Sequence, residues 1–107
     1  MWFRAAKKSE ILKQGSVVRE IGGRRVAIFR TMDDRFFAIE DRCPHRGGPL
    51  SEGIVHGMKV TCPLHEWHID LSSGNAVYPD VGCVKRFEVQ LRDEEVYVAT
   101  YAAHGNC

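Results

Sequence analysis

The chain has no long apolar run. Nothing in its 107 residues approaches the roughly 18 consecutive apolar side chains of a bilayer-crossing helix, so no membrane partner is expected. The N-terminal MWFRAAKKSEIL also lacks the unbroken apolar centre of an export signal, which makes a cytoplasmic location the expectation. Charge of one sign is missing too. Lys and Arg number 15 and Asp and Glu 14, a formal net charge of +1, so no strong field points to nucleic acid or an anionic surface. Internal repeats, low-complexity linkers and composition breaks are absent, and the length suits one domain, residues 1–107, with a modest core. No Ser/His/Asp constellation, phosphate loop or acid–base carboxylate pair stands out. Glu10, Glu20, Asp33 and Asp34 read as solvated charge.

What is present is the punctuation of an all-β domain: short stretches rich in Val, Ile, Phe and Tyr, cut at close spacing by turn residues. SVVREI (16–21), a Gly-Gly pair and RRVAIFR (24–30) read as a hairpin. FFAIED (36–41) follows a TMDDR turn. GIV (53–55) and MKVT (58–61) flank His56-Gly57, read as a second two-residue turn. WHIDL (67–71) runs into SSGNA, and VKRFEVQL (84–91) and EVYVA (95–99) form a last hairpin. Only KKSEILKQ (7–14) suggests a helical turn. The tail 101–107 is expected to be flexible, with His104 and Cys107 as bystanders.

Four cysteines remain: Cys43, Cys62, Cys83 and Cys107. Without an export signal, a Cys/His pattern of this kind reads as a metal site before it reads as disulfides. Cys43-x-His45 and Cys62-x-x-His65 sit in two Pro-containing loops, CPHRGGPL (43–50) and CPLHEWH (62–68), each directly after a predicted strand. The loops can therefore converge on one object from opposite sides. A structural zinc is one occupant for two Cys and two His, although zinc knuckles usually pair like with like. Mixed pairs suit a two-iron cluster, each loop giving one ligand to each iron.

These stretches resemble the Rieske [2Fe–2S] family, whose motif is C-x-H followed by C-x-x-H. The resemblance implies stacked antiparallel sheets with two cluster-binding loops and one [2Fe–2S] cluster. Cys43 and Cys62 would hold one iron, and His45 and His65 the other. With neutral imidazoles the oxidised cluster carries no net charge, which raises its potential above that of a four-thiolate cluster. High-potential members have a disulfide between the loops and hydroxyl donors near the cluster. The matching positions here are Gly48 with Leu64, and Trp67 with Ile69. The low end of the roughly −150 to +300 mV Rieske span is therefore expected.

The resemblance runs over about residues 16–99, and within it residues 37–84 are similar to the small subunits of NAD(P)H-dependent assimilatory nitrite reductases, above all at CPLH-x-W and PD-x-GCV. That likeness implies a large partner subunit with flavin and sirohaem that reduces nitrite to ammonia in nitrate assimilation, and no catalysis by this chain alone. The alternative is the ferredoxin of an aromatic-ring dioxygenase system, placed between a flavin reductase and an oxygenase. Such ferredoxins usually have glycine where this chain has Glu66. Gly47, Gly48 and Gly53 read as turn glycines, some of them admitting backbone close to the cluster. Pro49 and Leu50 are expected to cap the cluster, and Pro79 and Asp80 to supply a cover loop or, equally, plain loop filler. Trp67 reads as core or shield, His56 and His68 as solvated or hydrogen-bonding residues, and Cys83 as a buried thiol. Arg42 and Arg46 are candidates for meeting an acidic partner, or simply solvated.

Overall fold

The computed structural model describes residues 1–44, 47–64 and 66–103. Among them are ten strands: β1 (Trp2–Lys7), β2 (Gly15–Ile21), β3 (Arg24–Arg30), β4 (Phe36–Glu40), β5 (Ile54–His56), β6 (Lys59–Thr61), β7 (His68–Asp70), β8 (Arg86–Phe87), β9 (Val89–Arg92) and β10 (Glu95–Ala99). They form three antiparallel sheets, in the orders β1-β10-β9, β2-β3-β4-β8 and β5-β6-β7. The expected all-β architecture of stacked antiparallel sheets is what the chain adopts.

The middle sheet organises the rest because β3 is apolar on both faces. Val26 and Ile28 point to one side, and Ala27 and Phe29 to the other, as the two-residue period of a strand requires. Val26 and Ile28 join Ala5, Ala6, Ile11, Ile21, Ala38, Phe87, Val96 and Val98 in a core against β1-β10-β9. Ala27 and Phe29 join Ile39, Leu50, Val55, Val60, Ile69, Leu71 and Val84 in a second core under β5-β6-β7, which also contains Cys43 and Cys62. Each fully buried Val, Ile, Leu or Phe contributes about 1.5–3 kcal/mol of transfer free energy. The same sheet therefore supports an apolar base on one side and the two cysteines on the other.

Several elements differ from the sequence reading. β1 was not expected. It pairs with β10, Arg4 opposite Tyr97 and Lys7 opposite Glu95, with a register shift between Arg4 and Ala6. That irregularity turns two successive residues, Ala5 and Ala6, inward. VKRFEVQL is two strands, because β8 pairs with β4 while β9 pairs with β10. The second hairpin turns at Gly57-Met58, since His56 pairs with Lys59 inside the ladder. The helical turn shrinks to a 3-10 turn over Lys8–Glu10. Residues 101–103, expected to fray with the tail, are docked: the Ala103 N–H donates to the Arg86 carbonyl at 2.7 Å, and Ala102 packs on the base core. His104 and Cys107 lie outside the described residues.

Candidate metal centre

The first loop leaves β4 and closes on itself. The Cys43 N–H donates to the Gly48 carbonyl at 2.8 Å, and the Gly47 N–H returns to the Cys43 carbonyl at 2.8 Å. The second loop joins β6 to β7 in the same manner: the Cys62 N–H donates to the Trp67 carbonyl at 2.7 Å, and the Glu66 N–H to the Cys62 carbonyl at 3.1 Å. Each cysteine thus sits at the neck of its loop, its own backbone N–H and carbonyl both bonded within that loop. Both are 1% exposed and neither is in a disulfide.

The loops touch at Gly48. A Cβ added there would lie 2.8 Å from Leu64 Cδ1 and 3.3 Å from Cys62 Sγ, so any side chain at 48 must displace Leu64 and press on the sulfur. Positions 48 and 64 therefore face one another, and this chain fills the space between them with the Leu64 side chain. A third segment comes over the pair. At Gly82, φ is +147° and an added Cβ would stand 3.1 Å from Pro44 Cβ and 3.7 Å from the Trp67 ring. Its carbonyl accepts the Ala76 N–H at 2.8 Å. Trp67 is half-buried and packs on the core below. Pro44 and Trp67 thus bring the two loops against Gly82, while Pro79 of the same segment is exposed.

Two buried thiols on facing loops are soft donors of the kind an iron–sulfur or zinc centre takes, so this part of the set fits a [2Fe–2S] cluster. His45, His65 and Arg46 lie outside the described residues. Leu50 is wholly buried in the core that also holds Cys43 and Cys62, carried inward by the Leu50–Glu52 turn. Cys83 is not a buried thiol but half-buried and disulfide-bonded. His56 and His68 are exposed, yet both ring systems bond one hydroxyl, at 2.8 and 3.0 Å from Thr61 Oγ1. No third ligand-type side chain joins them among the described residues. Arg42 is exposed, as expected of a solvated or partner-facing cation.

The four carboxylates read as solvated are exposed, but three have partners. Asp34 is held below its ordinary pKa by its bond to Arg30, and Asp33 by the Thr31 hydroxyl and, more weakly, by Arg35. Glu10 accepts the Lys7 N–H and faces Arg19. The carboxylate that sequence reading passed over is Asp41. Its side chain is fully buried and accepts bonds from Ser51 and Arg25. An Asp just before an Arg-Cys-Pro turn looks like loop polarity, and only the tertiary fold shows that it is enclosed.

The chain belongs to the Rieske [2Fe–2S] domain family, which it matches over residues 1–88, β1 included. It is therefore an electron-transfer domain binding one [2Fe–2S] cluster. Ferredoxin CarAc of Metapseudomonas resinovorans is 32% identical over 102 residues, 92% of this chain and 94% of that protein. Among solved structures, a chain in the complex of reduced oxygenase and oxidised ferredoxin of carbazole 1,9a-dioxygenase matches with a TM-score of 0.87 at 27% identity. It covers 97% of both chains. A structure described as a nitrite reductase NADPH small subunit matches with a TM-score of 0.83 at 25% identity, covering 92% of this chain and 98% of that one. The chain has no helix long and apolar enough to cross a membrane among its described residues.

Proposed function

We propose that Cys43 and Cys62 hold one iron of the cluster and His45 and His65 the other, and that the chain serves in the cytoplasm as the small subunit of an NAD(P)H-dependent nitrite reductase. Two 1%-exposed thiols on loops that meet at Gly48 support the ligand assignment. The contact of Trp67 with Gly82 supports the finer reading. It brings together the two stretches that carry the likeness to nitrite reductase small subunits, CPLH-x-W and PD-x-GCV, so these are parts of one surface and not separate coincidences. Ile69, sealed in the core, and Trp67 bring no hydroxyl to the cluster, which supports a potential near the lower end of the roughly −150 to +300 mV range. The partner would be a large subunit carrying flavin and sirohaem.

A second reading has its own support. The full-length likeness to ferredoxin CarAc favours a carrier between a flavin reductase and a ring-hydroxylating oxygenase.

The deciding experiment starts with EPR of the dithionite-reduced protein and assays of iron and acid-labile sulfide. Two irons, two sulfides and a rhombic signal of low average g support the ligand set; zinc without sulfide removes it. NADPH-dependent nitrite reduction by a sirohaem subunit is then measured with and without the loaded chain. Stimulation or tight association supports the nitrite reductase reading. Rapid oxidation of the reduced chain by a mononuclear-iron oxygenase, with no effect on nitrite turnover, replaces it with the ferredoxin reading.

A further inference from the structure

Asp41 follows β4 immediately and precedes Cys43 by two residues. Its carboxylate spans the first loop. Oδ1 accepts the Ser51 N–H at 2.7 Å, and Oδ2 accepts the Ser51 hydroxyl at 2.9 Å and the Arg25 Nε–H at 3.0 Å. Its own N–H donates to the Arg25 carbonyl at 2.8 Å. Ser51 continues the chain of bonds, since its carbonyl accepts the Ser16 hydroxyl at 2.8 Å. The turn after the loop is therefore tied to β3 through one buried carboxylate, and to β2 through the Ser51 carbonyl. A buried charge is costly unless bonded and paired, and here its three bonds all come from donors.

The pair is electrically lopsided. The Asp41 side chain is 0% exposed, whereas that of Arg25 is 66% exposed. Water screens the guanidinium and reaches the carboxylate far less. Two residues of chain cannot separate Asp41 from Cys43 by more than about 7 Å between Cα atoms. On the reading that Cys43 is a cluster ligand, a poorly screened negative charge sits close to a centre that becomes negative on reduction.

We propose that Asp41 is a positioning residue for the first cluster loop, and that its buried charge, partly countered by Arg25, lowers the reduction potential of the cluster. Removing the carboxylate charge relieves repulsion of the reduced state and raises the potential. Removing Arg25 leaves the carboxylate uncompensated and lowers it. The second shift is the smaller, and it shrinks with added salt because the guanidinium is exposed. An ordinary loop clamp predicts no such opposition of sign.

The test is voltammetry of the full-length, cluster-loaded protein at constant pH, on wild type, Asp41→Asn and Arg25→Gln. Iron, sulfide and EPR confirm an intact cluster in each. A midpoint displaced upward in Asp41→Asn and downward in Arg25→Gln is the expected result, with several-fold faster cluster loss in Asp41→Asn. Shifts of the same sign, or none in either variant, overturn the proposal while leaving the ligand assignment standing. If Asp41→Asn does not retain a cluster, Arg25→Gln decides alone: a drop supports the proposal, and no change or a rise overturns it. Wild-type protein without a Rieske signal overturns the ligand assignment and this proposal with it.

Discussion

The two faces of the middle sheet make a natural comparison. Toward β1-β10-β9, β3 contributes Val26 and Ile28 to a core of aliphatic and aromatic side chains. Toward β5-β6-β7 it contributes Ala27 and Phe29 to a core of similar character that also holds two cysteines. Area burial stabilises both faces by the same physics, but only one of them also encloses two thiols. The difference lies in what borders each core. Regular strands enclose the base. The other face is bordered by the short strands β5-β6-β7, by loops in which each cysteine bonds backbone groups of its own loop, and by glycines where chains approach closely.

The comparison is broken most strongly by truncating one side chain on each face. Ile28→Ala and Leu50→Ala both empty fully buried positions, and each is expected to cost about 2–5 kcal/mol, read as a lower midpoint in guanidinium unfolding. They should separate in a second measurement. Leu50→Ala, next to Cys43, accelerates loss of the visible cluster absorbance, and Ile28→Ala does not in the folded protein. Equal rates of loss would mean that the two cores are not independent.

A smaller effect is expected at the contact of the loops. Gly48→Ala places a methyl group against Leu64 and the Cys62 sulfur, a small overpacking worth about 1 kcal/mol or somewhat more. Leu64 is 54% exposed and can swing away, whereas the sulfur is held. Leu64→Ala in the Gly48→Ala background should therefore restore stability in thermal unfolding but only part of the cluster retention. Complete recovery of both would show that the sulfur contact is unimportant.

The smallest effect belongs to the base. Glu95 is held below its ordinary pKa of 4.5 first by its hydrogen bond to Arg4 and, to a lesser degree, by that charge and by Tyr97. A carboxylate with a lowered folded pKa adds stability that is complete above the unfolded value and fades as pH falls through the folded one. Glu95→Gln should thus lower stability slightly at neutral pH and flatten the acid limb of a stability–pH curve below about 4.5 by the same small amount, the two proteins converging in acid, as exposed pairs contribute little. An unaltered acid limb would show that the Arg4 pair does not persist in solution.

The parts of this molecule legible in its sequence were those carried by local chemistry. The Gly-Gly hairpin is announced by its turn, and the placing of Cys43 and Cys62 in two loops by the prolines and glycines around them. What escaped depends on pairing across the chain. β1 looks like surface, with three of its first four residues, Trp2, Phe3 and Arg4, exposed, and only β10 makes it a strand. The alternation through VKRFEVQL runs unbroken across Glu88 even though the segment changes sheets there, because a period of two records facing and not partners. The disulfide state of Cys83 and the enclosure of Asp41 are likewise properties of what surrounds a residue in space.

The pairing of β1 with β10 also bears on how the chain is made. Arg4 and Glu95 are 91 positions apart, so β1 finds its hydrogen-bond partners only when β10 emerges. At about 5–20 residues per second, that wait is on the order of ten seconds, during which Trp2 and Phe3 stand on an open edge able to recruit another chain. Ribosomes stalled before residue 95 would hold a nascent chain whose β5-β6-β7 segment can already pair while its base remains unsealed, and a C-terminal truncation would make that transient exposure permanent.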